Sequence, residues 1–188
     1  MFRKLLTFKK EKGFTLIELL VVLGILGILA AALLAAINPV EQLKKAQDAS
    51  LEELASQYVS ATSRYYSTNN AYPWFAAANG GTACNGATGT APSNVVLNNA
   101  TFQACTTVFI NAGELKSSFS NASNLGSLSI SSPGGQAPTD ASSVAVCFQP
   151  QSHSVQANPN TKYSSTGGAG ANCLGTGGSS TTCYWCAQ

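Results

Sequence analysis

The apolar residues of this chain follow different patterns in different regions. Residues 19–37 are 19 consecutive uncharged and almost wholly apolar residues, and the run ends at Asn38-Pro39. A helix of that length is about 28 Å long, close to the ~30 Å hydrocarbon thickness of a bilayer. The pattern therefore predicts a helix near the N-terminus that can span a membrane.

The next segment has the periodicity of an amphipathic helix. Between Val40 and about Thr68, apolar residues recur every three or four positions, as on one helical face: Val40, Leu43, Ala46, Leu54, Tyr58, Ala61 and Tyr65. Asn69-Asn70 is predicted to end this helix. If it continues the first helix, one helix from Phe14 to Tyr66 would have 53 residues and a length of about 80 Å.

The rest of the chain predicts short elements between long polar loops. Asn99–Ile110 is predicted to be a helix, followed by a turn at 111–113, and Ser143–Gln149 is the strongest strand prediction. Ser127–Ser131 and Thr181–Ala187 are weaker strand candidates. Short strands with hairpin-scale loops predict a small antiparallel sheet that packs on the amphipathic helix, in an α+β fold. Tyr58, Tyr65 and Tyr66 of that helix are predicted to pack against residues 75–188.

These patterns divide the chain into four segments and predict a lollipop-shaped molecule. The four segments are a leader peptide (1–13), an apolar helix (14–38), an amphipathic stem helix (39–68) and a globular head (69–188). The leader holds five basic residues and one acidic residue, a net charge of +4, whereas the remainder holds five basic and seven acidic residues, a net charge of −2. Because the positive charge precedes the apolar run, it indicates a cytoplasmic leader and not a nucleic-acid-binding surface.

The six cysteines all lie beyond the apolar run, at Cys84, Cys105, Cys147, Cys173, Cys183 and Cys186. An even number in the part that would be exported favours disulfides in an oxidising compartment over a zinc site, which would need further closely spaced ligands. Six cysteines allow 15 pairings. We predict Cys84–Cys105 and Cys173–Cys183, which close the shorter loops, and Cys147–Cys186, which ties the best strand to the C-terminus.

Glu18 at the start of the apolar run requires an explanation, because a carboxylate at membrane depth costs about 2.5–3.5 kcal/mol. A secretory signal peptide cut near Ala30-Ala31-Ala32 has a shorter apolar region and no such acid. A single-pass anchor explains the length of the run, and it tolerates Glu18 only if the side chain reaches the interface. A third interpretation comes from the residues around it.

The segment Gly13-Phe14-Thr15-Leu16-Ile17-Glu18-Leu19-Leu20-Val21-Val22 resembles the N-terminal motif of type IV pilins and of type II secretion pseudopilins. The resemblance covers the leader and the first helix only. It implies that a prepilin peptidase cuts after Gly13, that Phe14 becomes an N-methylated N-terminus, and that Glu18 guides subunits into a filament. Family members often carry a helix-breaking proline in this region. In this chain the proline is Pro39, which lies about one turn later than usual.

The charges at this junction give the resemblance a physical basis. Cleavage would make the Phe14 nitrogen a cation, and the helix dipole already favours a carboxylate near the helix N-terminus by about 0.3–1 kcal/mol. Pairing Glu18 with the Phe14 ammonium of a neighbouring subunit would neutralise both charges. Small residues at Gly27, Ala31 and Ala35 recur every four positions and would allow close helix packing in an apolar medium, although alanine and glycine also simply fill membrane helices.

The sequence offers no catalytic or metal-binding constellation. It has one histidine, His153, predicted to lie in an exposed loop, and its head acids are Glu114 and Asp140. We therefore expect no enzyme activity, cofactor or metal. A DNA-uptake pilin would want a basic head, but the head offers only Lys116 and Lys162, so no nucleic acid is expected.

We therefore interpret the chain as a structural prepilin. It would be single-pass in the membrane with lipid as its first environment, and pilus assembly machinery of the inner membrane would move it into a homo-oligomeric surface filament. The alternative within the family is a secretion pseudopilin, whose filament stays short and periplasmic. Adhesion, motility, uptake and secretion are not distinguished by the sequence.

Overall fold

The computed structural model describes residues 13–36, 38–75, 83–84, 91–132, 144–168 and 183–188. Its contacts divide the chain into two compact units, Met1–Val40 and Glu41–Gln188. The leader before Gly13 and most of the long polar loops lie outside the described residues.

The N-terminal unit contains helix α1, Leu16–Ala36. Its described side chains are exposed along the whole helix. The segment Leu16–Leu34 is long and apolar enough to cross a membrane, judged by length and composition alone.

The sequence left open whether the apolar and amphipathic segments form one helix from Phe14 to Tyr66, and the structure describes two helices. Helix α1 ends at Ala36, Asn38 is not helical, and helix α2 runs from Pro39 to Asn69. Proline lacks a backbone N–H and its ring collides with the carbonyl four residues earlier, so it is suited to the first turn of a helix and not to its interior. The predicted end of α2 is confirmed, and Asn70 after it has a φ of 53°.

The buried face of α2 starts later than its apolar pattern predicted. Its buried residues are Asp48, Leu51, Ala55, Tyr58, Ala61, Thr62 and Tyr65. Val40 and Leu43 are 59% and 66% exposed, so the prediction that they belong to the core face is wrong. The core residues of the C-terminal unit pack against α2 only from about Leu51 onward.

Aromatic contacts hold α2 against α3, which spans Ala100–Asn111. The ring of Tyr58 lies edge-on to Phe109 with centroids 5.4 Å apart, and Tyr65 contacts the same ring at 5.3 Å. The Tyr58 hydroxyl lies 3.3 Å from the hydroxyl of Thr106, and burial raises the pKa of Tyr58. The prediction that these tyrosines pack in the core is confirmed.

The described part of the chain forms a four-stranded antiparallel sheet in the order β1-β2-β3-β4. The strands are β1 (Val95–Val96), β2 (Ser129–Ser131), β3 (Ala145–Phe148) and β4 (Trp185–Ala187). The predicted α+β fold is therefore confirmed. Strand β1 was not predicted, because two valines between polar residues carry no alternating pattern.

Strand β3 is buried on both faces. Val146 and Phe148 join the main core, whereas Ala145 and Cys147 pack with Cys186 on the opposite face. That opposite face is covered by a segment containing Tyr163, which bridges to Tyr184.

Two of the three predicted disulfides are present in the described residues. Cys84 bonds to Cys105 of α3, and Cys147 of β3 bonds to its register partner Cys186 of β4. Cys183 is also disulfide-bonded, but its predicted partner Cys173 lies outside the described residues. Each such bond typically stabilises a small domain by about 2–4 kcal/mol.

A buried carboxylate on α2 fixes the segment that follows β3. Asp48 accepts hydrogen bonds from the backbone N–H groups of Gln151 (3.1 Å) and Ser152 (2.8 Å), and from the Ser152 hydroxyl (2.6 Å). Ser152 in turn caps α4, His153–Gln156. His153 is exposed as predicted, but it begins this short helix and does not lie in a loop.

The charge of Asp48 also acts on the next acid along α2. Partial burial and, second, the Asp48 carboxylate raise the pKa of Glu52. A raised folded-state pKa means that the folded chain binds this proton more tightly, so the contribution of Glu52 to stability is lost as the pH rises through that pKa.

Replacing Asp48 tests this anchor. The Asp48→Ala variant leaves two backbone N–H groups and one hydroxyl without their acceptor, and we expect the free energy of unfolding to fall by about 3 kcal/mol. Thermal and denaturant unfolding followed by circular dichroism measures the change. The control Glu53→Ala removes an exposed acid of the same helix and should change stability by less than about 0.5 kcal/mol. Equal stability of the two variants would contradict the anchoring role.

Gly167 occupies a position that other residues cannot take. Its φ is +79°, and a Cβ added there would collide with the Cβ of Ala145, whereas a Cβ on Gly168 would meet only the Ser164 hydroxyl at 3.6 Å. We expect Gly167→Ala to lower the free energy of unfolding by about 2–4 kcal/mol through backbone strain and overpacking. Gly168→Ala is the matched control, and a similar loss in both variants would refute the explanation.

Candidate processing and assembly site

The predicted cleavage junction lies just before α1. Gly13, Phe14 and Thr15 are not helical, and the helix begins at Leu16, two residues later than predicted. Gly13 has open space around its Cα, and the Phe14 side chain is 87% exposed. The junction is therefore exposed in the described structure.

Glu18 is held by the residue that starts the helix. The backbone N–H and the hydroxyl of Thr15 both donate to Glu18 Oε2, at 3.0 and 2.8 Å. The Glu18 N–H in turn donates to the Thr15 hydroxyl oxygen at 3.3 Å. These reciprocal bonds are a capping box, which satisfies backbone donors that the first turn of a helix otherwise leaves without partners.

The role of Thr15 was missed in the sequence, although the signal was present. Thr15-Leu16-Ile17-Glu18 has the Thr-x-x-Glu spacing of a capping box directly before an apolar run. Glu18 therefore has a local structural role in addition to the one predicted for it. Its carboxylate also lies at the positive end of the helix dipole, where negative charge is favoured.

The small residues predicted for helix packing have no close neighbours or are exposed wherever the structure describes them. A Cβ on Gly27 would meet no atom within 4 Å, Ala31 is exposed, and the side chain of Ala35 lies outside the described residues. Exposed leucines, isoleucines and valines surround them along α1. Close packing through this stripe thus stays a prediction.

The described residues contain no group of three or more metal-ligating side chains. Glu114, one of the two head acids, receives a hydrogen bond from Arg64 Nε at 2.7 Å, and Arg64 Nη2 also donates to the Glu114 carbonyl. This pair links α2 to the turn after α3. The second head acid, Asp140, lies outside the described residues.

Comparison with known proteins agrees with the geometry of this site. Residues 8–34 match the family model of the prokaryotic N-terminal methylation motif. This segment has the N-terminal motif of type IV pilin-like proteins. The motif points to a family of structural subunits and fits a single-pass precursor anchored in the membrane. No curated protein and no solved structure matches the chain.

The capping box can be tested by removing the Thr15 hydroxyl. Thr15→Val keeps the shape of the side chain but loses its donor and its acceptor, which at an N-cap costs about 0.5–2 kcal/mol. A loss of about 1 kcal/mol should accelerate amide exchange of Glu18, whose N–H donates to the Thr15 hydroxyl, about fivefold, measured by hydrogen–deuterium exchange in detergent micelles. Thr15→Ser retains the hydroxyl and should exchange like the parent chain. Unchanged exchange in Thr15→Val would refute the cap.

Proposed function

We propose that this chain is a prepilin that is cleaved after Gly13, N-methylated on Phe14 and assembled into a type IV pilus-like surface filament. The observation that carries the proposal is one carboxylate, Glu18, capped in the first turn of an apolar helix directly after an open Gly-Phe junction. The methylation motif at residues 8–34 supports a pilin or a pseudopilin.

Capping and charge pairing use different oxygens of Glu18. Both Thr15 donors reach Oε2, and in the described part of the chain no hydrogen bond reaches Oε1. That oxygen is left to accept from the Phe14 ammonium of an incoming subunit. The cap thus holds the side chain in one rotamer before its partner arrives.

Pairing would make assembly selective for one register. Each α1 presents a single acid, and cleavage creates a single cation four residues before it. Breaking one partner of a desolvated ion pair costs about 3–5 kcal/mol, because the other charge stays buried without compensation. A subunit that docks out of register would leave both groups unpaired in an apolar environment.

The two units would have separate roles in this process. The exposed apolar surface of α1 is stable in lipid before assembly and against other copies of α1 afterwards. The unit Glu41–Gln188 has its own aromatic core and its own disulfides, which suits an oxidising compartment. The partners are a prepilin peptidase, inner-membrane assembly machinery and further copies of the chain.

A pseudopilin of a secretion system is the second candidate, since the same motif serves both. The size of the head, residues 69–188, and its cysteine bonds favour a subunit that is exposed outside the cell. Shearing of cells separates the two, because only a surface pilus yields the protein in long extracellular fibres. A DNA-uptake role has less support, since the basic residues of the head are only Lys116 and Lys162.

Variants at Glu18 and Thr15 separate the roles of charge and cap. Glu18→Gln keeps a capping acceptor but removes the charge, and Glu18→Ala removes both. We expect mass spectrometry to find Phe14 as a methylated N-terminus in the parent chain and both variants, and electron microscopy to find filaments only in the parent chain. Thr15→Val keeps the charge and should still form filaments.

Three results would count against the proposal. An intact leader, or cleavage near Ala32, would refute processing at Gly13. Normal filaments from Glu18→Gln would refute charge pairing while leaving processing untouched. Loss of filaments in Thr15→Val but not in Glu18→Gln would assign the essential role to the helix cap.

A further inference from the structure

The C-terminal unit has a shallow groove at one end of its sheet, with a volume of about 380 Å³. It is lined by residues of the β1 region (Asn94, Val96), by Ser127 before β2, by Gln151 after β3 and by Tyr184 before β4. By register, Val96 and Tyr184 lie on the face of the sheet that carries Cys147, opposite the main core.

The chemistry of the groove is polar but uncharged. None of the side chains that line it carries a charge. Asn94 and Gln151 provide amides, Ser127 and Tyr184 provide hydroxyls, and the half-buried Tyr184 ring and the 37%-exposed Val96 provide apolar surface. This combination of hydrogen-bonding and apolar groups is typical of small-molecule sites, and the volume lies within their usual range.

Among the polar side chains that line the groove, the Ser129 hydroxyl donates to the Cys147 carbonyl oxygen at 3.4 Å, whereas those of Asn94, Gln151 and Ser127 are not used by the fold itself. Asn94 and Gln151 make their hydrogen bonds in the described structure through backbone N–H groups, to the Ser131 hydroxyl and to Asp48. Their side-chain amides, and the hydroxyl of Ser127, make no hydrogen bond within the described residues. These groups are therefore available to a ligand.

The backbone holds the walls of the groove in place. Asn94 has a φ of +51°, a conformation that costs a non-glycine residue energy, and its N–H is fixed by the Ser131 hydroxyl at 2.8 Å. On the other wall, the buried Asp48 carboxylate fixes the backbone of Gln151. A site built in this way loses little conformational entropy when it binds.

We propose that this groove binds a neutral saccharide of one or two units. An ionic ligand would lose its hydration there without meeting an opposite charge, and a purely apolar one would leave the amides without water or a partner. A neutral sugar offers hydroxyls to the amides and an apolar C–H face to the Tyr184 ring. The proposal is independent of filament assembly, because it concerns the unit Glu41–Gln188 alone.

Saturation-transfer difference NMR tests it on the full chain, unassembled, in a detergent without a sugar headgroup. The probes are N-acetylglucosamine, lactose and maltose, their methyl glycosides, and sialyllactose and glucuronic acid as charged counterparts. We expect at least one neutral probe to bind with Kd of about 1 mM or below, and the charged probes to bind about tenfold more weakly or not at all. Binding of a methyl glycoside indicates that the natural ligand is a sugar linked within a glycan. Binding of only the free reducing sugar indicates that the natural ligand is a soluble sugar.

The double variant Asn94→Gly/Gln151→Ala removes both side-chain amides. Glycine at position 94 can still adopt the positive φ, and the backbone N–H of residue 151 can still donate to Asp48. The double variant should weaken binding at least about tenfold, whereas the control Gln103→Ala, on the exposed face of α3, should bind like the parent chain. No transfer to any neutral probe, equal binding by the double variant, or stronger binding of the charged probes would overturn the proposal. Binding of an unstructured peptide at this groove in competition with the sugar would do the same.

Discussion

The fold of the C-terminal unit depends on the burial of one face of α2. Tyr58 and Tyr65 meet the Phe109 ring of α3 edge-on, and Leu51, Ala55 and Ala61 extend this contact along the helix. Aromatic pairs of this kind contribute about 0.5–1.5 kcal/mol beyond the apolar area they bury. Trp74, Phe102 and Phe148 belong to the same core cluster, which joins the short strands to the helix.

Two further constraints complete the unit at points that this core does not reach. The Asp48 carboxylate orders the backbone after β3 through three hydrogen bonds. On the other face of β3, the close approach of Gly167 to Ala145 allows the segment around Tyr163 to cover the sheet. Neither contact depends on a large apolar side chain. Asp48 supplies charge-assisted hydrogen bonds, and Gly167 lacks the side chain that would prevent close packing.

The N-terminal unit differs in this respect, since the described side chains of α1 are exposed along the helix. Its leucines, isoleucines and valines are exposed, which is unfavourable in water and requires lipid or other helices around it. The capping box of Thr15 and Glu18 makes the first turn self-sufficient in hydrogen bonds. In the proposed assembly, one side chain therefore both caps the helix and keeps an oxygen for a partner from another subunit.

Much of this architecture follows from local patterns in the sequence. The apolar run, the helix end at Asn69, the helix after Asn99 and the alternation around Val146 were all predicted, because each depends on neighbours within a few residues. The pairings of Cys84 with Cys105 and of Cys147 with Cys186 were predicted from loop length and strand position. The roles proposed for Gly13, Phe14 and Glu18 in processing and assembly come from a local motif in the same way.

Tertiary structure decided what local pattern could not. Val40 and Leu43 have the spacing of a core face but lie exposed, since a helical position is buried only where another part of the chain packs on it. The burial of Asp48 depends on a segment more than 100 residues later in the chain, which supplies its hydrogen-bond donors. The groove between Asn94 and Tyr184 depends on strand register, which brings distant polar residues to one end of the sheet. The sequence by itself therefore determined the long helices α1, α2 and α3 and the N-terminal motif, whereas long-range contacts determined which polar residues meet.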